Sequence, residues 1–276
     1  MKTLTVPILV ACMALANAQT PTEKAWTILA GATTDKSYEK RSKAIQALGM
    51  ISGNARARGM AETALTDEKE DVRATAAEVL GVMRAKESIP KLKVAVRDKD
   101  TSVVFAATNA LFVMGDPDAY RVYYAVLTGE KKSGDALVES QMKMLKDPKA
   151  ITQMGMGVGL AFVPFGGVSY KALKMATNDA VSPVRAAAAM KLANDPDPKS
   201  AQALANTASD EKWLVRAAAV AALARRGDPA GLKVITPLLA DENDVVRFNA
   251  AAAVIQLSRS APSAAPAQKA KPSGKK

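Results

Sequence analysis

Asp210-Glu-Lys-Trp-Leu-Val-Arg216-Ala-Ala-Ala-Val-Ala-Ala-Leu223 is the stretch that decides how this chain folds. An aspartate, an arginine six positions later, a run of small residues and a Leu or Val seven beyond the arginine form a block. It recurs as Asp35 with Arg41 and Leu48, Asp67 with Arg73 and Leu80, Asp179 with Arg185 and Leu192, and Asp241 with Arg247 and Val254. Two copies are degenerate. Asp98 opens a block in which Val104 replaces the arginine. The helix near Asp135 keeps register only through its exit turn, Asp147-Pro148, which falls one step after Asp116-Pro117. The step between neighbouring copies is about 31 residues, and a fixed step of this size marks an array in which each short unit buries its face on the next. It overrides the roughly two domains that length alone would suggest.

Within a copy the pattern is helix, turn, helix. In the third copy, apolar spacing predicts a first helix over 101–114, a turn at Gly115-Asp116-Pro117 and a second helix over 119–127. Val79, Leu80 and Met83 space one first helix, and Tyr120, Tyr123 and Leu127 one second helix. The aspartate opening each block suits a helix start, where a carboxylate accepts from free N–H groups, and Asp-Pro suits the start of the second helix. Alanine runs at 76–77, 186–189, 217–219 and 250–253 allow neighbouring helices to approach closely. Strand signals are absent. The expected class is all-α, a right-handed α-α superhelix of about seven helical hairpins.

The D-x-x-x-x-V-R-x-x-A-A-x-x-L block, the G-D-P turn and the constant step resemble HEAT repeats of the short type found in phycobilisome lyases and many bacterial proteins, across residues 33–257. The resemblance implies a HEAT/armadillo-type solenoid of the kind that mostly binds partners, with second helices lining a concave face. It also implies that Asp35, Arg41, Asp67, Arg73, Asp179, Arg185, Asp210, Arg216, Asp241 and Arg247 form a hydrogen-bonded ladder between repeats rather than an anion-binding row. Val104 would then mark a gap in the ladder. Residues 22–32, with Trp26 and Leu29 apolar, read as an N-terminal capping helix, and 243–257 as a final half repeat. If the apolar register holds, Lys93, Arg97, Arg121, Tyr124 and Lys233 point away from the core and are candidate partner contacts. Tyr120 and Tyr123 align with Leu232 and Ile235 and are expected to pack.

One segment breaks the period. The stretch from Pro148 to Asp179 is longer than its counterpart from Pro229 to Asp241 by about 19 positions, too many for one more turn of the second helix. This insertion, at about 150–170, is apolar and glycine-rich, with no charge between Lys149 and Lys171. Its repeated glycines and Pro164 argue against a single helix, and a transmembrane span would put the halves of one array on opposite sides of a bilayer. Two readings stay open: the insertion folds back and packs Met156, Leu160, Phe162 and Phe165 onto the array, or it exposes them to dock a partner.

The ends carry their own signals. Lys2, an apolar core over 4–16 and small residues at Ala16 and Ala18 have the layout of a secretory signal peptide, residues 1–18, followed by a solenoid over 19–258. This predicts an exported protein, periplasmic or secreted. A second possibility is a lipoprotein, because Leu9-Val10-Ala11-Cys12 resembles a lipobox and Cys12 would then be the membrane anchor. The net charge is +11, but Arg259, Lys269, Lys271, Lys275 and Lys276 sit in a tail, 259–276, dominated by Pro, Ala, Ser and Lys. That tail is expected to be disordered and is a candidate for contact with an anionic envelope surface.

Composition removes most chemistry. With no histidine there is no imidazole base and no His-ligated metal; one cysteine cannot make a thiolate zinc site. Ser-x-x-Lys occurs repeatedly without a Lys-Thr-Gly partner, as chance gives. Asp98/Asp100, Asp116/Asp118 and Asp195/Asp197 lack the glycine and terminal glutamate of a calcium loop. No catalytic, metal or cofactor residues are assigned, and no nucleic-acid partner is expected of an exported chain. The expected function is a non-enzymatic protein-binding scaffold working through its concave face and the insertion. The alternatives are a lyase-like or chaperone-like accessory that binds a cofactor or client, and an envelope lipoprotein.

Overall fold

A computed structural model describes residues 19–128 and 181–260. Among the described residues the regular structure is helical, with no strand. In chain order the helices are α1 (Pro21–Thr33), α2 (Tyr38–Leu48), α3 (Ala55–Ala64), α4 (Glu70–Val82), α5 (Ile89–Ala95), α6 (Thr101–Val113) and α7 (Pro117–Thr128). After residue 181 come α8 (Ser182–Leu192), α9 (Pro198–Thr207), α10 (Trp213–Arg226), α11 (Leu232–Ile235) and α12 (Asp244–Ser260). Short 3-10 turns at Pro229–Gly231 and Thr236–Ala240 flank α11, and these pieces together form one second helix. The hairpin expected around the Gly-Asp-Pro turn is α6/α7, with α7 beginning earlier than expected because Pro117 occupies its first turn.

The aspartate that opens each block does not itself cap the following helix. Asp35, Asp67, Asp98, Asp210 and Asp241 accept the N–H of the residue two positions on, at 2.8 to 3.0 Å, and so fold a local turn ahead of the helix. The caps lie further along. The Ser37 and Asp100 side chains accept from Lys40 N–H and Ser102 N–H. The turn leaves the block aspartate's outer lone pairs free to face the preceding repeat.

First helices stack on first helices: α8 on α10, α10 on α12, α2 on α4, and α4 on α6. Gly81 shows how close the packing is. A Cβ there would lie 2.9 Å from both Cα and Cβ of Ala110, so α4 and α6 cross where only a glycine fits.

The two ends of the described chain do not cap the array. Helix α12 packs along α1 and against α2, while α1 also touches α3 on one side and the Thr236–Ala240 turn on the other. Thr22 Oγ1 and Ser258 Oγ lie 3.1 Å apart, and Arg259 donates to the carbonyls of Ser52 and Gly53. Helix α12 therefore acts as the first helix, and α1 as the second, of a composite repeat assembled from opposite ends of the described chain. The stack runs α8/α9, α10/α11, α12/α1, α2/α3, α4/α5, α6/α7. This corrects the expected N-terminal cap over 22–32 and final half repeat over 243–257. The reason is burial: Ala250 to Val254 and Leu257 are fully buried and Ile255 nearly so, and α1, whose Ala25 and Leu29 are also fully buried, packs along that helix. A terminal half repeat would leave one face of α12 in water. At about 25 cal/mol per Å² of apolar surface, that exposure would cost several kcal/mol.

Candidate functional site

Across neighbouring repeats, arginine meets aspartate. Arg41 Nε and Nη2 donate to Asp67 at 2.8 and 2.7 Å, Arg73 to Asp98 at 2.8 and 2.8 Å, and Arg216 to Asp241 at 2.8 and 2.9 Å. Arg185, more exposed, reaches Asp210 through Nη2. The remaining nitrogen of Arg41 donates to the carbonyls of Asp35 and Lys36, and Arg73 and Arg216 do likewise in their own repeats. Burial pushes the Asp67 carboxyl up, but hydrogen bonds from Arg41 and from the Lys69 N–H more than offset it and hold the group below the usual carboxylate range. All three guanidinium nitrogens of Arg41 face protein acceptors, which leaves no fork for an external anion.

The ladder has gaps. Val104, at the arginine position of α6, is buried. At the composite repeat the rung is also missing: Arg247 turns to Asp244 of its own helix and to the Asp241 carbonyl, while Asp35 lies 3.7 Å from Lys40. Among the described residues, the joint between α12 and the α1–α3 end is thus held by apolar packing, the Thr22–Ser258 bond and the Arg259 contacts.

Charges on the second helices are mostly bound to one another. Glu62 of α3 accepts from Ser88 Oγ and from Lys91 Nζ of α5, each at 2.6 Å, and Arg58 reaches Glu87 at 2.7 Å. Lys93 bridges α5 to α7, 2.8 Å from Asp118 and 3.1 Å from Asp116. Hydrogen bonds to Asp118 and then Asp116 raise its pKa above the ordinary lysine value. Arg121 lies 3.6 Å from the same Asp118, largely in solvent. Of the candidate contacts, Lys93 is therefore a strut between repeats, while Arg97, Arg121 and Tyr124 are exposed beside it. Arg97 has no ion-pair partner among the described residues. Lys233, also exposed, lies on α11, beyond the composite repeat from this group.

The structure adds Val94 of α5, 73% exposed, to the exposed second-helix residues, among which Tyr124 of α7 is 69% exposed. The signal was in the sequence: Leu92, Ala95 and Val96 supply the buried stripe of α5, and Val94 falls off it. Tyr120 departs from the expected packing. It is 46% exposed, although its ring centroid sits 4.9 Å from that of Phe112, whose ring also meets that of Tyr123 at 5.1 Å. A separate groove of about 630 Å³ opens between α1, α2 and α3, lined by Thr33, Ile45, Arg56, Met60 and Thr63. Arg56 lies over the Trp26 ring at 4.4 Å.

Met156, Leu160, Phe162, Phe165, Asp179, Cys12 and the lysines of the tail lie outside the described residues. Among the described residues no group of three or more acidic, His or Cys side chains could hold a metal ion, and no helix is long and apolar enough to cross a membrane.

A family profile described as HEAT repeats matches residues 57–130 and 171–255, more than half of the chain. The chain belongs to the HEAT-repeat family. Solved HEAT-like and armadillo structures align along most of it. A complex of CpcE and CpcF of phycocyanin lyase from Nostoc sp. PCC7120 is 16% identical over 92% of this chain and 100% of that one, with a TM-score of 0.34. Human deoxyhypusine hydroxylase in complex with glycerol is 21% identical over 91% and 90%, with a TM-score of 0.30. A designed armadillo repeat protein is 16% identical over 86% and 100%, with a TM-score of 0.26. At these scores none of the three bears on what this HEAT array does. No curated protein matches the chain in sequence.

Proposed function

We propose that this HEAT-repeat array is an exported, non-enzymatic scaffold that binds a protein partner on its second-helix face. The observation that carries the reading is the exposure of both Val94 on α5 and Tyr124 on α7. Two side chains with large apolar surface are exposed on successive second helices, and the Lys93 bridge to Asp116 and Asp118 ties those helices together. A rigid surface with apolar centres and a charged rim is the arrangement that protein partners use. Export is supported by the layout of residues 1–18 and by where α1 starts. Thr20 forms a reciprocal cap with Glu23, so cleavage after Ala18 would leave the first helix intact. The apolar insertion at 150–170 is a second contact element in this reading.

The test is capture of partners from envelope extract by purified protein, followed by mass spectrometry, with wild type, Val94→Asp, and a deletion of 154–168 compared side by side. A specific partner lost in Val94→Asp, with the helical circular dichroism unchanged, supports the reading. Capture that is indifferent to Val94→Asp removes this face from it. A bound chromophore or small molecule in the native mass spectrum would favour an accessory role towards a cofactor instead.

A further inference from the structure

Resting on that reading, we infer that the α5/α7 face takes an acidic amphipathic protein segment, one whose apolar side chains cover Val94 and Tyr124 while its carboxylates meet Arg97 and Arg121.

The chemistry follows from which charges on this face remain to be satisfied. Both nearby carboxylates are committed. Asp116 is buried, and Asp118 is engaged by Lys93 at 2.8 Å before Arg121 reaches it at 3.6 Å. Lys93 is spent between them. Arg97 has no acidic partner among the described residues, and Arg121 shares one that is already taken. The two helices thus present two guanidinium groups with unused donors and two exposed side chains with large apolar surface, Val94 and Tyr124. An approaching lysine-rich segment would meet repulsion, whereas glutamate or aspartate would find planar bidentate donors.

Spacing narrows the shape of the segment. Helices in adjacent repeats lie about 8–10 Å apart, close to the rise of two helical turns, about 11 Å. A helix presenting apolar residues at i and i+7, with acidic residues on the flanks, would place one apolar side chain on each second helix.

Two synthetic amphipathic peptides of equal length, with leucine at i, i+3, i+4 and i+7 and either glutamate or lysine elsewhere, provide the probe. Binding to the full chain is read by fluorescence anisotropy at low and high salt. The glutamate peptide should bind, weaken with salt, and lose about tenfold or more in affinity to an Arg97→Glu/Arg121→Glu variant, which should in turn gain affinity for the lysine peptide. Equal binding of the two peptides, an unchanged affinity in the charge-reversed variant, or no binding of either at millimolar concentration overturns the acidic assignment. Loss of binding in Val94→Asp without an effect of charge reversal would keep the docking face and discard its charge preference. Both variants alter exposed side chains, and circular dichroism checks that each remains folded.

Discussion

Thr22 and Ser258, separated by 236 positions in sequence, face each other with their hydroxyl oxygens 3.1 Å apart. The contact sits where α1 and α12 complete one repeat, so the middle of the array is built from the ends of the described chain. A Thr22→Cys/Ser258→Cys variant, in a Cys12→Ala background, is expected to form a disulfide within one molecule. Non-reducing electrophoresis should show a faster monomer, and Tm should rise on oxidation, because the closed loop is long; the chain-entropy account gives about 5–6 kcal/mol as an upper bound. An open array with capped ends would give free thiols or mixed dimers.

The ladder should behave as coupled pairs. Arg216 and Asp241 are both largely shielded from water, so Asp241→Ala leaves a guanidinium without its partner and is expected to cost about 3–5 kcal/mol. Combining Arg216→Met with Asp241→Leu should cost much less than the sum of the single changes, since an apolar pair replaces the ion pair. Val104 shows that an apolar residue is tolerated at one such position. Urea unfolding of the four species in a double-mutant cycle measures the coupling.

Glu78 on α4 gives the array an unusual pH dependence. It is only 8% exposed, its Oε1 has no hydrogen-bond partner, and burial pushes its pKa up from 4.5 to about 8. The folded state therefore holds a proton that the unfolded state releases, and stability falls as pH rises from about 4.5 to about 8, by a few kcal/mol. The ladder aspartates act in the opposite sense. Asp67, Asp98, Asp210 and Asp241 have lowered values, so their contribution is lost as pH drops below the ordinary aspartate range. Thermal melts should show highest stability on the acid side of neutrality, and Glu78→Gln should flatten the fall above it. An unchanged slope in that variant would show that Glu78 is not its source.

Gly81→Ala adds one methyl where α4 crosses Ala110 at 2.9 Å, and the backbone of neither helix can yield cheaply. A loss of about 1–3 kcal/mol is expected. By contrast Gly31→Ala, in open space on an exposed part of α1, should be neutral or slightly stabilising through helix propensity. Chemical denaturation of the two variants compares crowding with propensity directly.

The regular step and the Asp–Arg block made the repeat and its helices legible in the sequence, because every internal unit must solve the same burial problem with the same residues. Exposed Arg97, Arg121 and Tyr124 were legible for the same reason: once the buried stripe is known, what falls off it faces water. Val94 could have been found by that logic as well. The sequence hid the order of stacking. Local periodicity specifies how a hairpin forms, whereas the docking of α12 on α1 and α2 depends on apolar faces brought together from opposite ends of the described chain, and nothing in the local pattern encodes which face meets which. One trace was present: the Ala250 to Ile255 run is apolar on every side, as in the internal helix α10 and unlike an end that must meet water. Likewise only the tertiary structure decided which charges are available for a partner. Lys93 and Arg97 look alike in sequence, and it is the position of Asp116 and Asp118 on the next repeat that binds the first and leaves the second exposed.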